Sequence, residues 1–179
     1  MRGGDKLLEL VAGEPMLRRQ ARLALGVCTN VLVTLRVDDP ARQAALAGLD
    51  VVILEVPDAR LGMSASLRAG AAEAMGALMI LPADMPEIDL HDLSNLINEA
   101  DQTPLDIIRG ASFAGVPGHP VIFPADIVPE FAQLKADEGA RRLLQRHSAR
   151  LRLIALPEDH ALTDLDTPEE WAAWRLGQT

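Results

Sequence analysis

The chain has 179 residues, a formal net charge of −9 and a hydrophobic fraction of 49%. This length suits one domain, spanning residues 1–179, with a core large enough to fold without disulfides or a structural metal. The acidic balance and the 3% aromatic content argue against DNA or RNA as a partner, because polyanion binding needs a basic field and base stacking needs aromatic rings. The single cysteine, Cys28, excludes an intrachain disulfide.

No segment of the sequence has the apolar length of a signal peptide or of a membrane-spanning helix. We therefore expect a cytoplasmic protein without a membrane partner.

Apolar runs alternate with amphipathic segments along the first half of the chain. Pro15 stands at a helix-start position, and Ser64 is the expected N-cap of a later helix. The patterns predict, in chain order, a helix over residues 15–25, a strand over 31–35, a short helix from 39 to about 48, a strand over 51–54, a helix over 64–75 and a strand over 77–81.

The second half of the chain continues the alternation. Asp89 is the expected N-cap of a helix, and Pro168 occupies the first turn of the last helix. The patterns predict a helix over 89–100, strands over 105–108 and 120–123, helical segments over 125–134 and 139–147, a strand over 151–156 and a helix over 168–176. Short buried strands between helices indicate an α/β sheet with helices on both faces.

Asp84 is the strongest single candidate for chemistry. It follows the apolar run at 77–81, and ligands in α/β sheets bind beyond the carboxyl ends of the strands. Pro82 and Pro86 stiffen its loop. A carboxylate held in this way suits a Mg²⁺ ion that bridges phosphates. The alternative is that Asp84 only shapes the loop, as Asp commonly does in turns.

A second pair of carboxylates lies near the last helix. Asp164 and Asp166 are two residues apart, so in an extended segment they point the same way and either can supply a second metal ligand. The alternative is that the segment only begins the helix, with Asp166 or Thr167 as its cap and with Glu169 and Glu170 favoured by the helix dipole.

A glycine-led segment opens the helix predicted at 64–75. Free backbone N–H groups at such a helix start suit an anion or the edge of a base. The alternative is an ordinary capped helix. The candidate binding residues of this segment are Gly62, Met63, Ser64 and Ser66.

Gly3, Gly4 and Lys6 form a candidate phosphate contact. The glycines allow close approach of the backbone to a phosphate, and Lys6 adds a point cation. The segment is not a Walker A motif. A flexible terminus is the alternative.

His119 lies in a turn rich in glycine and proline and is a candidate for ligand contact or proton transfer, although a single loop histidine often has neither role. The four histidines lack the H-x-x-x-H and H-E-x-x-H spacings, so the sequence does not support a zinc site.

Seven segments of the chain together resemble the MobA-like nucleotidyltransferases, and their order is the one found in that family. The branch they most resemble is that of the molybdenum cofactor cytidylyltransferases. The segments are KLL at 6–8, GEPML at 13–17, GMSASLRAG at 62–70, LPADMP at 81–86, GVPGHPVIF at 115–123, DEGARRLL at 137–144 and TDLDTPEEW at 163–171.

The resemblance implies a Rossmann-like three-layer αβα sandwich with a mostly parallel sheet, of the nucleotide-diphospho-sugar transferase type. It implies Mg²⁺-dependent transfer of CMP from CTP to the terminal phosphate of a molybdopterin-type cofactor, with release of pyrophosphate. A molybdoenzyme or a cofactor-delivery protein is then a possible partner. Alternatives are a guanylyltransferase or sugar-phosphate nucleotidyltransferase of the same fold, and a non-catalytic module that holds nucleotide or cofactor.

The resemblance also assigns roles to residues. It makes Asp84 and Asp166 the metal ligands, with Asp164 less securely matched, and it gives Lys6 the triphosphate. The segment from Gly62 to Ser66 would lie near the base or sugar of the nucleotide. His119 would face the acceptor, and Arg141 would be an acceptor or structural contact.

The start of the chain departs from the family pattern. Members begin with an apolar strand and a glycine-rich loop ahead of the lysine, whereas this sequence begins inside that loop. We therefore expect an N-terminally incomplete domain, with a sheet that lacks its first strand.

Overall fold

The computed structural model describes residues 4–135 and 139–177. Gly3, one of the two glycines assigned to phosphate contact, lies outside the described residues. Across the described ranges, every helix is too short or too polar to cross a membrane.

Strands and helices alternate through the chain as the sequence predicts. The strands are β1 (Leu10–Val11), β2 (Glu14–Pro15), β3 (Leu32–Arg36), β4 (Val52–Val56), β5 (Leu78–Ile80), β6 (Ile107–Ala111), β7 (Pro117–Phe123) and β8 (Leu151–Ala155). The α-helices are α1 (Met16–Leu25), α2 (Pro40–Ala45), α3 (Met63–Ala72), α4 (Leu90–Gln102), α5 (Arg141–Arg146) and α6 (Pro168–Gly177). Short 3₁₀ helices span Lys6–Leu8, Pro57–Leu61, Val128–Gln133 and Ser148–Arg150.

The main sheet has four strands in the order β5-β7-β6-β8. Strand β6 pairs with β8 in parallel, and β7 runs antiparallel to both β5 and β6. Strands β5, β6 and β8 therefore share one direction, and their carboxyl ends lie at one edge of the sheet. Strands β3 and β4 form a separate parallel pair, and β1 and β2 form a small antiparallel hairpin. Within the described ranges no ladder joins β3–β4 to the main sheet.

Helices cover both faces of the main sheet. The period-two alternation of a strand sends neighbouring side chains to opposite faces, as it does for Ile107 and Ile108. Ile107 packs in a cluster with residues of α3, α5 and the 3₁₀ helix at 128–133, whereas Ile108 packs in a cluster with residues of α1 and α4. This arrangement confirms the predicted three-layer αβα sandwich.

Two local predictions are wrong. Ser64 does not cap α3. Gly62 does, with a φ of 118° that favours glycine, and α3 begins at Met63. The segment predicted as a helix over 125–134 is instead a 3₁₀ helix at Val128–Gln133, which Pro129 near its start and Pro124 before it favour over a longer α-helix.

Strand β7 approaches the segment after β8 very closely. The amide of His119 donates a hydrogen bond of 2.8 Å to the carbonyl oxygen of Ala161. A Cβ on the neighbouring Gly118 would overlap the same carbonyl oxygen. Only glycine therefore fits at position 118 without moving the backbone.

We expect Gly118→Ala to lower the free energy of unfolding by about 2–3 kcal/mol, because the backbone of residue 161 must shift to admit a methyl group. Urea unfolding followed by circular dichroism measures the change. Gly76→Ala is the matched control, since a Cβ there meets open space, and its effect should stay within about 0.5 kcal/mol. Equal stability of Gly118→Ala and the wild type would contradict the close approach.

Candidate functional site

Three charged side chains from distant parts of the sequence meet at one point. The Lys6 ammonium donates a hydrogen bond of 2.6 Å to Oδ2 of Asp84 and another to Oδ1 of Asp166. These carboxylates lie 78 and 160 residues beyond Lys6 in the chain. The structure thus brings together the three residues that the sequence assigns to metal and triphosphate, and their catalytic roles stay predictions.

Apolar neighbours that pack against the core hold each of these side chains in place. Leu7 and Ala83 belong to the same apolar cluster, so the residues next to them, Lys6 and Asp84, are brought side by side. Leu165 is 5% exposed and packs with the core of α6. The charged groups are therefore carried by residues whose neighbours are fixed by hydrophobic packing.

Two side chains of helix α1 donate hydrogen bonds to the backbone of the loop that carries Asp84. Met85 is 2% exposed, and its carbonyl oxygen accepts a hydrogen bond from the side-chain amide of the buried Gln20. Arg19 donates a hydrogen bond of 3.0 Å to the carbonyl oxygen of Ile88. These contacts fix the backbone on the far side of Asp84 from β5.

The start of α6 fixes the backbone of Asp166. One carboxylate oxygen of Glu170 accepts hydrogen bonds of 2.8 Å from the amides of Asp166 and Thr167. In return, the amide of Glu170 donates to the Thr167 hydroxyl at 3.2 Å. This reciprocal pattern is a capping box. The side chains of Asp164 and Asp166 are exposed on either side of the buried Leu165, as an extended segment requires.

The cluster is charged at neutral pH. Burial lowers the pKa of Lys6, but the hydrogen bonds to Asp166 and Asp84 outweigh it and raise the net pKa above the ordinary 10.5. The hydrogen bond from Lys6 lowers the pKa of Asp166 below its ordinary 3.8. The ammonium of Lys6 and the carboxylate of Asp166 therefore coexist as ions.

This arrangement fits a divalent cation. The positively charged ammonium of Lys6 contacts both Asp84 and Asp166, so the space between the two carboxylates already accommodates a cation. Carboxylate oxygens are also the ligand type that Mg²⁺ and Mn²⁺ prefer. Each carboxylate has a second oxygen beside the one that contacts Lys6. Asp84 and Asp166 could therefore hold a metal while Lys6 stays nearby.

A second group that could hold a metal lies at the start of α4. One ligand atom from each of Asp89, Asp92 and His160 falls within 4.8 Å of the others. Asp89 and Asp92 also form the capping box of α4, and Oδ2 of the buried Asp92 lies 2.8 Å from Nδ1 of His160. Sequence analysis did not single out these residues as a group, because His160 is 68 residues from Asp92.

His119 lies in the electric field of the charged cluster. Burial is the main cause that lowers its pKa below 6.5, and the positive charge of Arg109 adds to the effect. The carboxylates of Asp84 and Asp164 act in the opposite direction. Among the described residues, its Nδ1 is buried without a hydrogen-bond partner.

The remaining predicted residues lie around α3 and α5. Ser64 is fully buried, and its hydroxyl accepts a hydrogen bond of 3.2 Å from the amide of Gly139. Met63 is 68% exposed, and Gly62 and Ser66 are partly exposed. Arg141 is exposed at the first position of α5. Nucleotide and acceptor contacts by these residues stay predictions.

A cavity of about 340 Å³ opens at the carboxyl ends of β3 and β4. It adjoins the 3₁₀ helix Pro57–Leu61, which leads directly into Gly62. Its lining residues are Arg36, Val37, Asp38, Val56, Pro57 and Ala59.

The sequence predicts the role of one further carboxylate in part and gives no sign of another. Glu170 is expected at the start of the last helix for its interaction with the helix dipole, and the pattern Thr167-x-x-Glu170 is the signal that could also have identified its hydrogen bond to the Asp166 amide. Glu87 accepts hydrogen bonds from Thr163 and Trp174, and nothing in its local sequence indicates those partners.

We expect His119 to make stability depend on pH. Its folded-state pKa is below 6.5, so the unfolded chain binds a proton more readily, and stability present above pH 6.5 is lost as the pH falls through the folded-state pKa. Urea unfolding at pH 8.0 and pH 5.0 should give a smaller loss for His119→Gln than for the wild type. His91→Gln, at an exposed position on α4, controls for the loss of a histidine. Equal losses for His119→Gln and the wild type would contradict the argument.

Known proteins resemble this chain in sequence. Residues 1–151 match the MobA-like NTP transferase domain. The chain is 35% identical over 119 residues to the purine catabolism protein PucB of Bacillus subtilis (strain 168), a match that covers 64% of this chain and 56% of PucB. The match therefore spans just over half of that relative's length.

Solved structures share the fold. Rv0371c from Mycobacterium tuberculosis H37Rv superposes with a TM-score of 0.80 at 24% identity, covering 99% of this chain and 90% of that one. Its complex with manganese gives a TM-score of 0.73 at 25% identity, with 94% and 89% covered. A CMP:2-keto-3-deoxy-manno-octonic acid synthetase complexed with CTP gives 0.74 at 15% identity, with 97% and 92% covered.

The family match covers most of the chain, and its fold is that of nucleotidyltransferases. The three side chains that meet at the carboxyl edge of the sheet belong to the motifs on which the sequence resemblance rests. The chain belongs to the MobA-like NTP transferase domain family.

Proposed function

We propose that this protein is a Mg²⁺-dependent cytidylyltransferase that transfers CMP from CTP to the terminal phosphate of a molybdopterin-type cofactor. The observation that carries the proposal is the contact of Lys6 with both Asp84 and Asp166. The combination of one cation donor and two convergent carboxylates suits phosphoryl chemistry, in which negative charge must be neutralised. The motifs GMSAS, ADMP and GHP support the choice of cytidine and of this acceptor.

The reaction needs no covalent intermediate on the protein. An oxygen of the acceptor phosphate forms a bond to the α-phosphorus of CTP, and the bond from that phosphorus to the oxygen bridging the β-phosphorus breaks. Pyrophosphate leaves with the electron pair of that bond. When bound, Mg²⁺ held by Asp84 and Asp166 would neutralise charge on the phosphates. Positioning and electrostatic stabilisation then account for catalysis.

Lys6 is suited to contact the triphosphate. An ammonium has three N–H donors, and two of them serve Asp84 and Asp166. The third can donate to a phosphate oxygen without loss of the existing contacts. We assign Gly4 to the same part of the nucleotide, since it is exposed two residues before Lys6.

We assign His119 to the acceptor side of the site. Its lowered pKa keeps the imidazole neutral at pH 7, so it would act on the acceptor through hydrogen bonds and not through charge. A neutral ring can donate a hydrogen bond through one nitrogen and accept through the other. Arg141 is assigned as a further acceptor contact, because a guanidinium binds phosphate in a bidentate manner.

We expect Asp84→Asn to reduce Mg²⁺-dependent pyrophosphate release from CTP and molybdopterin by at least about a hundred-fold, because the amide removes one of the two carboxylates. Coupled pyrophosphate detection measures the rate. Asp126→Asn is the control, since Asp126 pairs with Arg150 on another surface and its loss should leave the rate unchanged.

Other outcomes of the same assay separate the alternatives. Unchanged turnover in Asp84→Asn would overturn the proposed centre. Faster release from GTP than from CTP, or with a sugar phosphate than with molybdopterin, would reassign the base or the acceptor. Calorimetric binding of CTP with Mg²⁺ but no pyrophosphate release would indicate a non-catalytic binding module.

We expect Lys6→Met to weaken CTP binding by about ten-fold or more, because a hydrogen bond between charged groups is lost while the apolar stem is kept. Calorimetry with Mg²⁺ measures the Kd. Lys6→Arg should restore only part of the affinity, since a planar guanidinium does not reproduce the donor directions of an ammonium. Arg175→Met, which removes an exposed cation paired with Glu9, is the control. An unchanged Kd for Lys6→Met would contradict the assignment.

A further inference from the structure

We infer that Glu87 is a positioning residue that fixes the separation between the loops of Asp84 and Asp166. Its Oε2 accepts a hydrogen bond of 2.5 Å from the Thr163 hydroxyl, and its Oε1 accepts one of 3.2 Å from the indole N–H of Trp174. Both oxygens of one half-buried carboxylate are thus used across the gap between the two loops.

The spacing of this bridge along the chain supports the inference. Glu87 lies three residues after Asp84, and Thr163 lies three residues before Asp166. Three residues of chain span at most about 10 Å, so the bridge lies close to the two carboxylates. It joins the loops without using any oxygen of Asp84 or Asp166.

The contact with Trp174 ties Glu87 to the core of α6. Trp174 packs edge-to-face on Trp171, with ring centroids 5.9 Å apart, and Trp171 is 1% exposed. Helix α6 also carries the capping box that holds the Asp166 amide. Glu87 therefore fastens the Asp84 loop to the same rigid helix that positions Asp166.

The bridge opposes the mutual repulsion of two carboxylates. Asp84 and Asp166 both contact one ammonium, so their charges are held close together. Without Glu87, the loops lose a direct connection and the carboxylates can move apart. Removing partners that orient metal ligands typically weakens metal binding by about 10–100-fold.

Glutamine at position 87 should preserve the bridge. Its carbonyl oxygen can accept from Trp174, and its NH₂ group can donate to the oxygen of Thr163. The Thr163 hydroxyl then donates to the carbonyl oxygen of Asp159, which it already approaches at 3.1 Å. The Thr163 hydroxyl and the Trp174 indole each keep an acceptor, so a positioning role tolerates Gln although the charge is lost.

The first test titrates the full-length protein with Mn²⁺ alone and measures free Mn²⁺ by electron paramagnetic resonance. We expect Glu87→Ala to raise the Kd for Mn²⁺ by about ten-fold or more, and Glu87→Gln to stay within about three-fold of the wild type. Glu130→Ala is the matched control, because Glu130 also bridges two partners, Arg146 and His147, on another surface.

Melting curves separate positioning from general stability. Glu130→Ala should lose thermal stability with an unchanged Kd for Mn²⁺. Should Glu87→Ala fail to fold, Thr163→Val removes one arm of the bridge with little change of shape and should itself raise the Kd. An unchanged Kd in folded Glu87→Ala overturns the inference. A loss in Glu87→Gln as large as in Glu87→Ala also overturns it, since Glu87 would then act through its charge.

The second test uses the metal-free protein. The effect of Glu87 on metal binding rests on the proposed function, whereas its effect on the positions of the two loops does not. The ¹⁵N NMR signal of the Lys6 ammonium reports its contacts with Asp84 and Asp166 in the metal-free protein. We expect Glu87→Ala to shift this signal and Glu87→Gln to leave it in place. Failure of the wild type to bind Mn²⁺ would count against the proposed function alone, whereas an unshifted Lys6 signal in Glu87→Ala would overturn the positioning role.

Discussion

The structure of the site depends on one electrostatic constraint, which is that two carboxylates must be held together around a single ammonium. Asp84 and Asp166 repel each other, and Lys6 offsets that repulsion by contacting both. The cluster is only partly buried, and the Asp166 side chain is 64% exposed. Surface ion pairs contribute little stability by themselves, so the cluster cannot hold its own geometry. Other parts of the molecule must supply it.

Hydrophobic packing and backbone hydrogen bonds supply that geometry. Each charged residue has a neighbour in an apolar cluster: Leu7 beside Lys6, Ala83 beside Asp84 and Leu165 beside Asp166. The common direction of β5, β6 and β8 brings the following loops to one edge of the sheet. The packing of these apolar side chains therefore determines where the charged side chains lie.

The sequence singles out the carboxylates of this cluster because their signals are local. Asp84 follows an apolar run, and the alternation around Leu165 predicts Asp164 and Asp166 on one side of an extended segment. In the structure both aspartates are exposed and Leu165 is buried, as this alternation requires. The short apolar runs also predict every strand of the main sheet to within a few residues. Resemblance to a family was needed to join Lys6 to the other two residues, because nothing local connects positions so far apart.

The features that the sequence did not predict depend on contacts or on exact lengths. The strands predicted at 105–108 and 120–123 are separated by a connection that is long enough for β7 to run parallel or antiparallel to β6. In the structure β6 ends at Ala111 and β7 begins at Pro117. The short turn between them can join only antiparallel strands. Serine is a residue type that often caps helices, but the N-cap of α3 is Gly62. The Ser64 hydroxyl instead accepts a hydrogen bond from the amide of Gly139. The contacts of Glu87 could not be predicted from the sequence, because its partners lie 76 and 87 residues away along the chain.

Charge and position are carried by different residues at this site. Lys6, Asp84 and Asp166 carry the charge and are partly or largely exposed, whereas their apolar neighbours carry the position. Leu165 is buried, and the partly buried Leu7 and Ala83 pack against an apolar cluster. Solved structures with 15–24% identity to this chain keep the fold with TM-scores of 0.74–0.80. A fold shared at such low identity places few demands on side chains outside the core. Exposed residues such as Met63 and Arg141 are therefore free to differ among proteins of this fold, because neither is buried in the core that holds the sheet and helices together.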